Sequence, residues 1–256
     1  MTTAQQSVHH QLPSTLDVRH PARLMLHGLR PAFAAVAHRR WDLEVHGAGN
    51  VPTSGPVVTV GNHIGFLDGP LMAIVGPRPV HALTKAELFT GPLGAFLTGA
   101  GQIPTSRDEV DPAAIKSALR VLRDGGVAGV FPERTRGAGT LVEAAGGAAY
   151  LALVTGAPVV PMAFLGTRLP GSAATFPPAG VRIVVSHGSP LTVEQQGWPR
   201  RSHEVAALTE RIRLAIIATV QEAVRASGLE LPGDLPETDG TSPGVGPASE
   251  RSKEES

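Results

Sequence analysis

The sequence predicts a single α/β domain with a largely parallel sheet flanked by helices, because short apolar segments alternate with amphipathic segments along most of its 256 residues. Segments 57–60 and 127–131 are apolar on both faces, as is typical of central parallel strands. Segment 112–122 begins with proline, carries apolar residues at helical spacing and is followed by two glycines. This pattern predicts a helix that covers one face of the sheet.

The predicted elements follow one another along the chain without an internal repeat. Strand patterns occupy six segments, at 43–47, 57–60, 79–84, 127–131, 158–164 and 181–185. Helical patterns occupy five further segments, at 70–75, 85–97, 112–122, 144–155 and 204–227. In the last of these, the apolar residues fall on one stripe: Val205, Leu208, Ile212, Ile216, Val220 and Val224.

Composition divides the chain into four parts. Residues 1–20 are predicted to be a disordered N-terminus, and residues 229–256 a disordered acidic tail rich in proline, glycine and serine. Residues 21–41 form an amphipathic helical element, which Pro31 is expected to divide into two short helices. This basic element fits an anionic membrane surface, and it fits equally a helix packed on the main domain. Residues 42–228 form that domain.

Charge and composition exclude several classes of function. The 22 basic and 22 acidic residues balance, so no global positive charge favours nucleic acid as a partner. The absence of cysteine excludes disulfides and thiolate catalysis, and the 10 histidines show no convincing metal-ligand spacing, so no metal is expected. The N-terminus lacks the apolar core of a signal peptide, and no apolar run approaches the ~20 residues of a membrane span. If this protein acts on lipid, we expect it to lie on the membrane surface.

Residues 61–68 (GNHIGFLD), directly after the predicted strand 57–60, are the most informative stretch. Five positions along a helix rotate the side-chain direction by roughly 140°, so His63 and Asp68 can meet only across a turn. A turn eased by Gly65 would let the carboxylate fix the tautomer of the imidazole, whose other nitrogen would then take a proton from a hydroxyl. The alternative is structural: Asp68 caps the next helix and His63 merely ends a strand. The spacing alone leaves both alternatives open.

Two further loops place guanidinium groups after predicted elements, where ligands gather in α/β sheets. Residues 101–107 contribute Arg107, and residues 131–137 (FPERTRG) follow a strand with one carboxylate and two arginines. Arginine suits bidentate binding of phosphate, and Glu133 could orient it or bind a hydroxyl. The alternative is a surface turn of salt bridges, although a position at a strand end favours the functional interpretation. No Gly-x-Ser-x-Gly elbow, P-loop or dinucleotide fingerprint occurs, so acyl-serine chemistry has no candidate nucleophile.

Four blocks of residues occur in a characteristic order: Asn62-His63-x4-Asp68, Gly101-x-Ile103-x3-Arg107, Phe131-Pro132-Glu133-x-Thr135-Arg136 and Val160-Pro161. In order and separation, they resemble the blocks of the glycerolipid acyltransferases, which include the 1-acylglycerol-3-phosphate acyltransferases of phospholipid synthesis. The resemblance covers roughly residues 40–190, and the first and third blocks together are specific. It implies a single α/β domain preceded by a helical element that contacts the membrane.

The resemblance also implies a role for each matching residue. His63 would act as general base on the acceptor hydroxyl, Asp68 would orient it, and Lys85 would help to stabilise the oxyanion. The hydroxyl would attack an acyl thioester carried on coenzyme A or acyl carrier protein, with no other cofactor. Residues of the second and third blocks match the positions that bind the acceptor, particularly its phosphate: Arg107, Glu133, Thr135 and Arg136.

Departures from the family pattern leave the acceptor open. Arg134 and Gly137 stand where the family usually has glycine and serine, and residues 104–106 (PTS) replace two apolar residues and an aspartate. A lysine that often precedes the glycine of the following helix is absent from residues 143–147 (EAAGG).

The leading expectation is a cytoplasmic enzyme, peripheral on the inner face of the cell membrane, that acylates lysophosphatidate. An alternative keeps the chemistry but uses a glycolipid, an amino alcohol or a specialised metabolite as acceptor. A catalytically silent lipid- or carrier-binding protein and, more weakly, a metal hydrolase are the remaining alternatives.

Overall fold

The computed structural model describes residues 14–15, 17–106, 111–133, 135–197 and 201–235. Most of the two segments that the sequence predicts to be disordered lies outside these ranges, so that disorder stays a prediction. Within the described residues, the secondary structure comprises six α-helices: α1 (Leu24–Arg40), α2 (Asp68–Ile74), α3 (Gly91–Gly99), α4 (Pro112–Arg123), α5 (Gly147–Thr155) and α6 (Ser202–Ser227). The strands are β1 (Asp42–His46), β2 (Val57–Gly61), β3 (Val80–Lys85), β4 (Ile103–Thr105), β5 (Val127–Val130), β6 (Val159–Leu165) and β7 (Arg182–His187).

The strands form one seven-stranded sheet in the order β1-β7-β6-β2-β5-β3-β4. The five strands from β6 to β4 in this order are parallel to their neighbours, whereas β7 runs antiparallel to β6 and pairs in parallel with β1. The carboxyl ends of these five strands therefore lie at one edge of the sheet, and β2 is the central strand of the seven. The predicted class, a single α/β domain with a largely parallel sheet, is confirmed.

Two apolar cores cover the faces of the sheet, and β6 contributes to both because its side chains alternate between the faces. Ala163 and Leu165 point into the core formed with α4, α5 and α6. Met162 and Phe164 point into the core on the opposite face, which contains side chains from α1 and α2. The predicted stripe on α6 lies in the first of these cores. β2, β5 and β6 are buried along their whole length, which explains their continuous apolar sequences.

The N-terminal helical element differs from the sequence prediction. We expected Pro31 to divide it, but α1 continues through Pro31 as one helix of 17 residues. Proline removes one backbone hydrogen bond within a helix, at a cost of about 3 kcal/mol. Tertiary contacts offset that cost, because Leu26 and Ala37 are buried and Arg30 donates to the carbonyl oxygen of Gly76 at 2.9 Å.

The stretch that the sequence predicts as a loop, residues 101–107, contains the short strand β4, which pairs with β3 at the end of the sheet. Pro104 is compatible with this position, because a residue without a backbone N–H is tolerated on an edge strand. No helix among the described residues combines the length and hydropathy needed to cross a bilayer.

Candidate active site

His63 and Asp68 meet at the carboxyl end of β2, which is one of the two alternatives that the five-residue spacing leaves open. The imidazole Nδ1 lies 2.9 Å from Asp68 Oδ2, and the side chain of His63 is 14% exposed whereas that of Asp68 is fully buried. Asp68 is the first residue of α2, but no side chain caps this helix at its N-terminus. The carboxylate is directed back toward the preceding loop, so the alternative in which it serves as a helix cap is wrong.

The carboxylate of Asp68 collects hydrogen-bond donors from two parts of the chain. Its Oδ2 accepts from the backbone N–H groups of Ile64 at 2.7 Å and Gly65 at 2.8 Å, in addition to His63. Its Oδ1 accepts from the hydroxyl of Thr167, 2.5 Å away, in the loop after β6. Because an ionised carboxylate only accepts, the proton of a neutral His63 lies on Nδ1 and Nε2 keeps its lone pair. That is the tautomer a general base requires.

Gly65 is required for close packing of this loop. A Cβ atom at this position would lie 2.7 Å from the carbonyl oxygen of Thr167, well inside van der Waals contact. We expected Gly65 to ease a turn, but the observed constraint is the approach of the loop after β6. That approach brings the hydroxyl of Thr167 to Asp68.

A stacking contact on one face of the ring also holds the imidazole of His63. It stacks on Phe131, with 4.4 Å between ring centroids and an interplanar angle of 24°, and Phe131 in turn contacts the buried ring of Phe164. Asn62 ties the same loop to β6 through its side-chain amide, which exchanges two hydrogen bonds with the backbone of Phe164 at 3.1 and 2.8 Å. The base therefore has little rotational freedom before any substrate binds.

The third block of residues approaches His63 from the neighbouring strand β5. Glu133 Oε1 accepts from the backbone N–H of His63 at 3.0 Å, and the backbone N–H of Gly137 donates to the carbonyl oxygen of His63 at 2.9 Å. Burial raises the pKa of Glu133, an effect that the hydrogen bond from His63 opposes. In this arrangement Glu133 orients the backbone of His63, a contact that the sequence did not indicate.

The other residues predicted to bind the acceptor occupy different environments. Arg136 is exposed and lines the large cavity next to His63. Thr135 is exposed, and its backbone N–H donates to the carbonyl oxygen of Glu133 at 2.7 Å. Arg107, and the additional arginine Arg134, lie outside the described residues, so the predicted role of Arg107 stays a prediction.

A cavity of about 1190 Å³ opens beside the imidazole and has two chemically different parts. His63, Lys85, Lys116 and Arg136 contribute polar groups, and the Nζ of Lys85 lies 3.2 Å from Glu87 Oε1. Side chains of α1 and α3 contribute the apolar part, among them Phe33, Leu93, Phe96 and Leu97. An elongated apolar chain with a charged head group matches this division.

The outer surface of α1 and α3 exposes large apolar side chains, which we call the apolar rim: Leu24, Leu29, Phe33, Val36, Leu93 and Phe96. Leu24 is 87% and Val36 61% exposed, and the rings of Phe33 and Phe96 join the two helices edge to face at 5.6 Å. His38, Arg39 and Arg40 form the last turn of α1. α1 therefore carries both exposed apolar side chains and a basic last turn, and three residues of the rim also line the cavity: Phe33, Leu93 and Phe96.

Thr167 and Arg168 belong to the site but were missed in the sequence. They follow the carboxyl end of β6, a position at which polar residues could have been noticed. Arg168 is only 4% exposed, and burial lowers its pKa while nearby Asp68 opposes that change. No group of three or more potential metal-ligating side chains occurs in the part of the chain that the structure describes.

Comparisons with known proteins identify a matching family model, sequence relatives and a related fold. The family model described as Acyltransferase matches residues 42–165, which contain the His63–Asp68 pair, Lys85 and the third block. A 1-acyl-sn-glycerol-3-phosphate acyltransferase of Bacillus subtilis is 27% identical over 187 residues, covering 72% of this chain and 92% of that protein. The chloroplastic 1-acyl-sn-glycerol-3-phosphate acyltransferase BAT2 of Brassica napus is 28% identical over 185 residues, which cover 66% of this chain but 51% of that protein.

A solved structure shares the fold. The crystal structure of the 1-acyl-sn-glycerophosphate acyltransferase PlsC from Thermotoga maritima aligns with a TM-score of 0.53 and 22% identity, covering 77% of this chain and 76% of that chain. The resemblance predicted from the four blocks is thereby confirmed, since sequence relatives and fold agree.

Proposed function

Since the Acyltransferase family model matches residues 42–165, we propose that this protein transfers a fatty acyl group from an acyl thioester to the hydroxyl of lysophosphatidate in phospholipid synthesis. The observation that carries the proposal is the His63–Asp68 pair, 2.9 Å apart, at a cavity with both cationic and apolar walls. The names of the relatives in Bacillus subtilis and Brassica napus support the choice of acceptor.

His63 is the general base in this reaction. Its Nε2 removes the proton from the acceptor hydroxyl as the oxygen attacks the carbonyl carbon of the thioester. Asp68 stabilises the imidazolium that forms, through the hydrogen bond to Nδ1. The carbon–sulfur bond of the tetrahedral intermediate then breaks, and the leaving thiolate takes the proton from Nε2. Coenzyme A and acyl carrier protein are both suitable thioester carriers, and neither needs a further cofactor.

Two cations assist in different ways. Lys85, at the end of β3, stabilises the negative charge that develops on the thioester oxygen. Arg136 binds the phosphate of the acceptor, together with Arg107 of the second block, because guanidinium groups bind phosphate through two parallel hydrogen bonds. Lys85 and Arg136 line the same cavity as His63, which supports these roles.

A second candidate function keeps the chemistry and changes the acceptor. It is favoured by the additional cation Arg134 and by Gly137, which replace the glycine and serine usual in the third block. A panel of lysophosphatidate, a lysoglycolipid and an amino alcohol, each tested with one acyl-CoA, distinguishes the two by the rate of thiol release. Rates highest with lysophosphatidate support the first candidate, and higher rates with the lysoglycolipid or the amino alcohol support the second.

We also propose that the protein acts as a cytoplasmic, peripheral enzyme on the inner face of the cell membrane, with the apolar rim in contact with lipid. The exposed side chains of Leu24 and Val36 and the basic last turn of α1 support this orientation. Co-sedimentation with vesicles containing anionic lipid, and weaker binding at high salt, are the expected results. Equal recovery of the wild type and a variant with glutamate at positions 24 and 36 would count against the orientation.

A further inference from the structure

Arg168 is one of two charged side chains that are almost completely buried among the described residues, and Asp68 is the other. A buried guanidinium requires hydrogen-bond partners, because its desolvation is costly. Arg168 donates only to backbone carbonyl oxygens in the contacts observed: Nε to Ile64 at 2.7 Å, Nη2 to Gly137 at 2.9 Å and to Gly233 at 2.5 Å, and Nη1 to Asp234 at 3.2 Å.

These carbonyl groups belong to three separate segments. Ile64 follows His63 in the catalytic loop, which we define as residues 62–67. Gly137 follows Arg136 in the acceptor loop, which we define as residues 135–141. The third segment, residues 229–235, follows α6 and is called the C-terminal segment below. Arg168 thus holds the residue that follows His63, the proposed general base, and the residue that follows Arg136, the cation proposed to bind phosphate.

The C-terminal segment also contacts the acceptor loop directly. Gly139 has a φ of +78°, and a Cβ atom there would lie 3.1 Å from Leu231 Cδ2 and 2.5 Å from Ile64 Cγ2. At the end of the acceptor loop, Arg213 of α6 donates to the carbonyl oxygen of Leu141 at 3.0 Å. The acceptor loop is therefore enclosed between the catalytic loop, α6 and the C-terminal segment.

We infer that Arg168 is a positioning residue that sets the separation between His63 and Arg136, and that the C-terminal segment takes part in acceptor binding by holding this guanidinium in place. The inference rests on the proposed acyl transfer, because it assigns the two groups to the same acceptor molecule. The C-terminal segment thereby affects turnover without touching substrate. A shift of about 1 Å between such groups costs up to roughly 100-fold in rate.

A matched pair of substitutions at Gly233 tests the role of the segment in the full-length chain. Gly233 has a φ of +72°, and a Cβ atom there would meet nothing within 4 Å. Gly233→Asn is expected to keep the backbone, since asparagine tolerates this conformation, whereas Gly233→Val forces a change of φ that moves the carbonyl away from Arg168. We expect kcat/KM for lysophosphatidate to fall about tenfold in the valine variant, mostly through KM, and to change less than twofold in the asparagine variant.

Arg168→Lys tests the same contacts from the other side, because an ammonium keeps the charge but lacks the planar fork that reaches four carbonyls. We expect a loss similar to that of Gly233→Val, and little further loss in the double variant, because both substitutions remove the same contacts. Fully additive losses would overturn the coupling. A lowered melting temperature with unchanged kcat/KM per folded enzyme would show a structural role only, and would also overturn it.

Amide hydrogen exchange separates this inference from the proposed function, because it needs no activity. The N–H of Gly137, which donates to His63, is expected to exchange faster in Arg168→Lys and Gly233→Val than in the wild type and Gly233→Asn, while α4 remains unchanged in all four. Unaltered exchange at Gly137 in the first two variants would refute the inference. If the wild type fails to acylate lysophosphatidate, the proposed acceptor is wrong, and the exchange result still decides whether Arg168 holds the loops.

Discussion

The catalytic loop and the apolar rim differ in how much of their structure is determined by contacts within the chain. The catalytic loop is held by Asp68, which is fully buried and accepts hydrogen bonds on both oxygens, and the ring of His63 in this loop is stacked on Phe131. In the apolar rim, by contrast, Leu24 keeps 87% of its surface exposed. The side chains of His63 and Asp68 are therefore fixed by internal contacts, whereas the apolar rim leaves much of its apolar area exposed.

The largest expected effect is at His63, the titratable residue of the catalytic loop that lines the cavity. His63→Ala removes the base but leaves the backbone N–H groups of Ile64 and Gly65 that donate to Asp68, so kcat should fall by about 10²–10⁴-fold with little change in melting temperature. Thiol release from acyl-CoA with lysophosphatidate measures the loss. The matched control is His46→Ala, since His46 lies in β1 and is exposed. Residual activity above a tenth of the wild type would contradict the assignment of the base.

Asp68→Asn is expected to affect both activity and stability, which separates it from His63→Ala. Four donors converge on this carboxylate, and an amide offers one acceptor oxygen and an NH₂ group in place of two acceptor oxygens. Unsatisfied buried donors cost about 1–3 kcal/mol each, so urea unfolding should show a loss of this order together with a fall in kcat. Thr167→Val, which removes one donor and keeps the charge, should lose less of both. If Asp68→Asn has the same free energy of unfolding as the wild type, other contacts hold the catalytic loop.

The contact between the sheet and the segment before α1 is expected to lose stability at low pH. His81 of β3 is buried, donates through Nδ1 to the carbonyl oxygen of Gly101 at 2.7 Å, and lies edge to face with His20 at 5.2 Å. Burial, with smaller contributions from His20, His27 and Arg23, lowers the pKa of His81 to about 4. A Cβ atom at Gly101 would lie 2.0 Å from the carbonyl oxygen of Ala22. The chain before α1 therefore packs against Gly101, the residue that accepts the hydrogen bond from His81.

Because the pKa of His81 is lower in the folded than in the unfolded state, its neutral form stabilises the fold above pH 6.5, and this stability is lost as the pH falls toward 4. The free energy of unfolding should therefore decrease by about 3 kcal/mol over this interval relative to His81→Asn, which cannot titrate. Urea unfolding of both proteins at several pH values measures the difference. Parallel curves for the two proteins would exclude His81 as the cause.

The smallest effect on the fold is expected in the apolar rim itself. Glutamate at positions 24 and 36 replaces two exposed side chains, 87% and 61% exposed, so the free energy of unfolding should change by no more than about 0.5 kcal/mol. Turnover of a short-chain, water-soluble acceptor should also be unchanged. A large loss of stability would mean that these residues pack against the domain and are not available to lipid.

The sequence indicates the central strands and the pairing of His63 with Asp68 because both depend on local pattern. β2 and β5 are short apolar runs, and His63 and Asp68 are separated by a single turn. The supporting contacts are non-local: Glu133 meets the backbone of His63 across 70 residues of sequence, and Arg168 meets Ile64 across 104. Nothing in a single sequence indicates which distant polar residue completes such a contact.

Two local rules were outweighed by tertiary structure. Pro31 lies inside α1 because buried contacts of the helix compensate for the missing hydrogen bond. β4 escaped prediction because its three residues include Pro104 and gain their partners only at the edge of the sheet. In both cases the deciding contacts come from the main sheet or its helices, which periodicity along one segment does not show.

The order of strands also has a consequence for synthesis of the protein. β2 is flanked by β5 and β6 in the sheet. β6 begins at Val159, about a hundred residues after β2 in the sequence, so the ribosome synthesises it long after β2. Until then, a nascent chain carries a valine-rich strand with one bare edge, which is a template for pairing with other chains. A premature stop before β6 should therefore produce fragments that aggregate or are degraded, and none that persist as partly active enzyme.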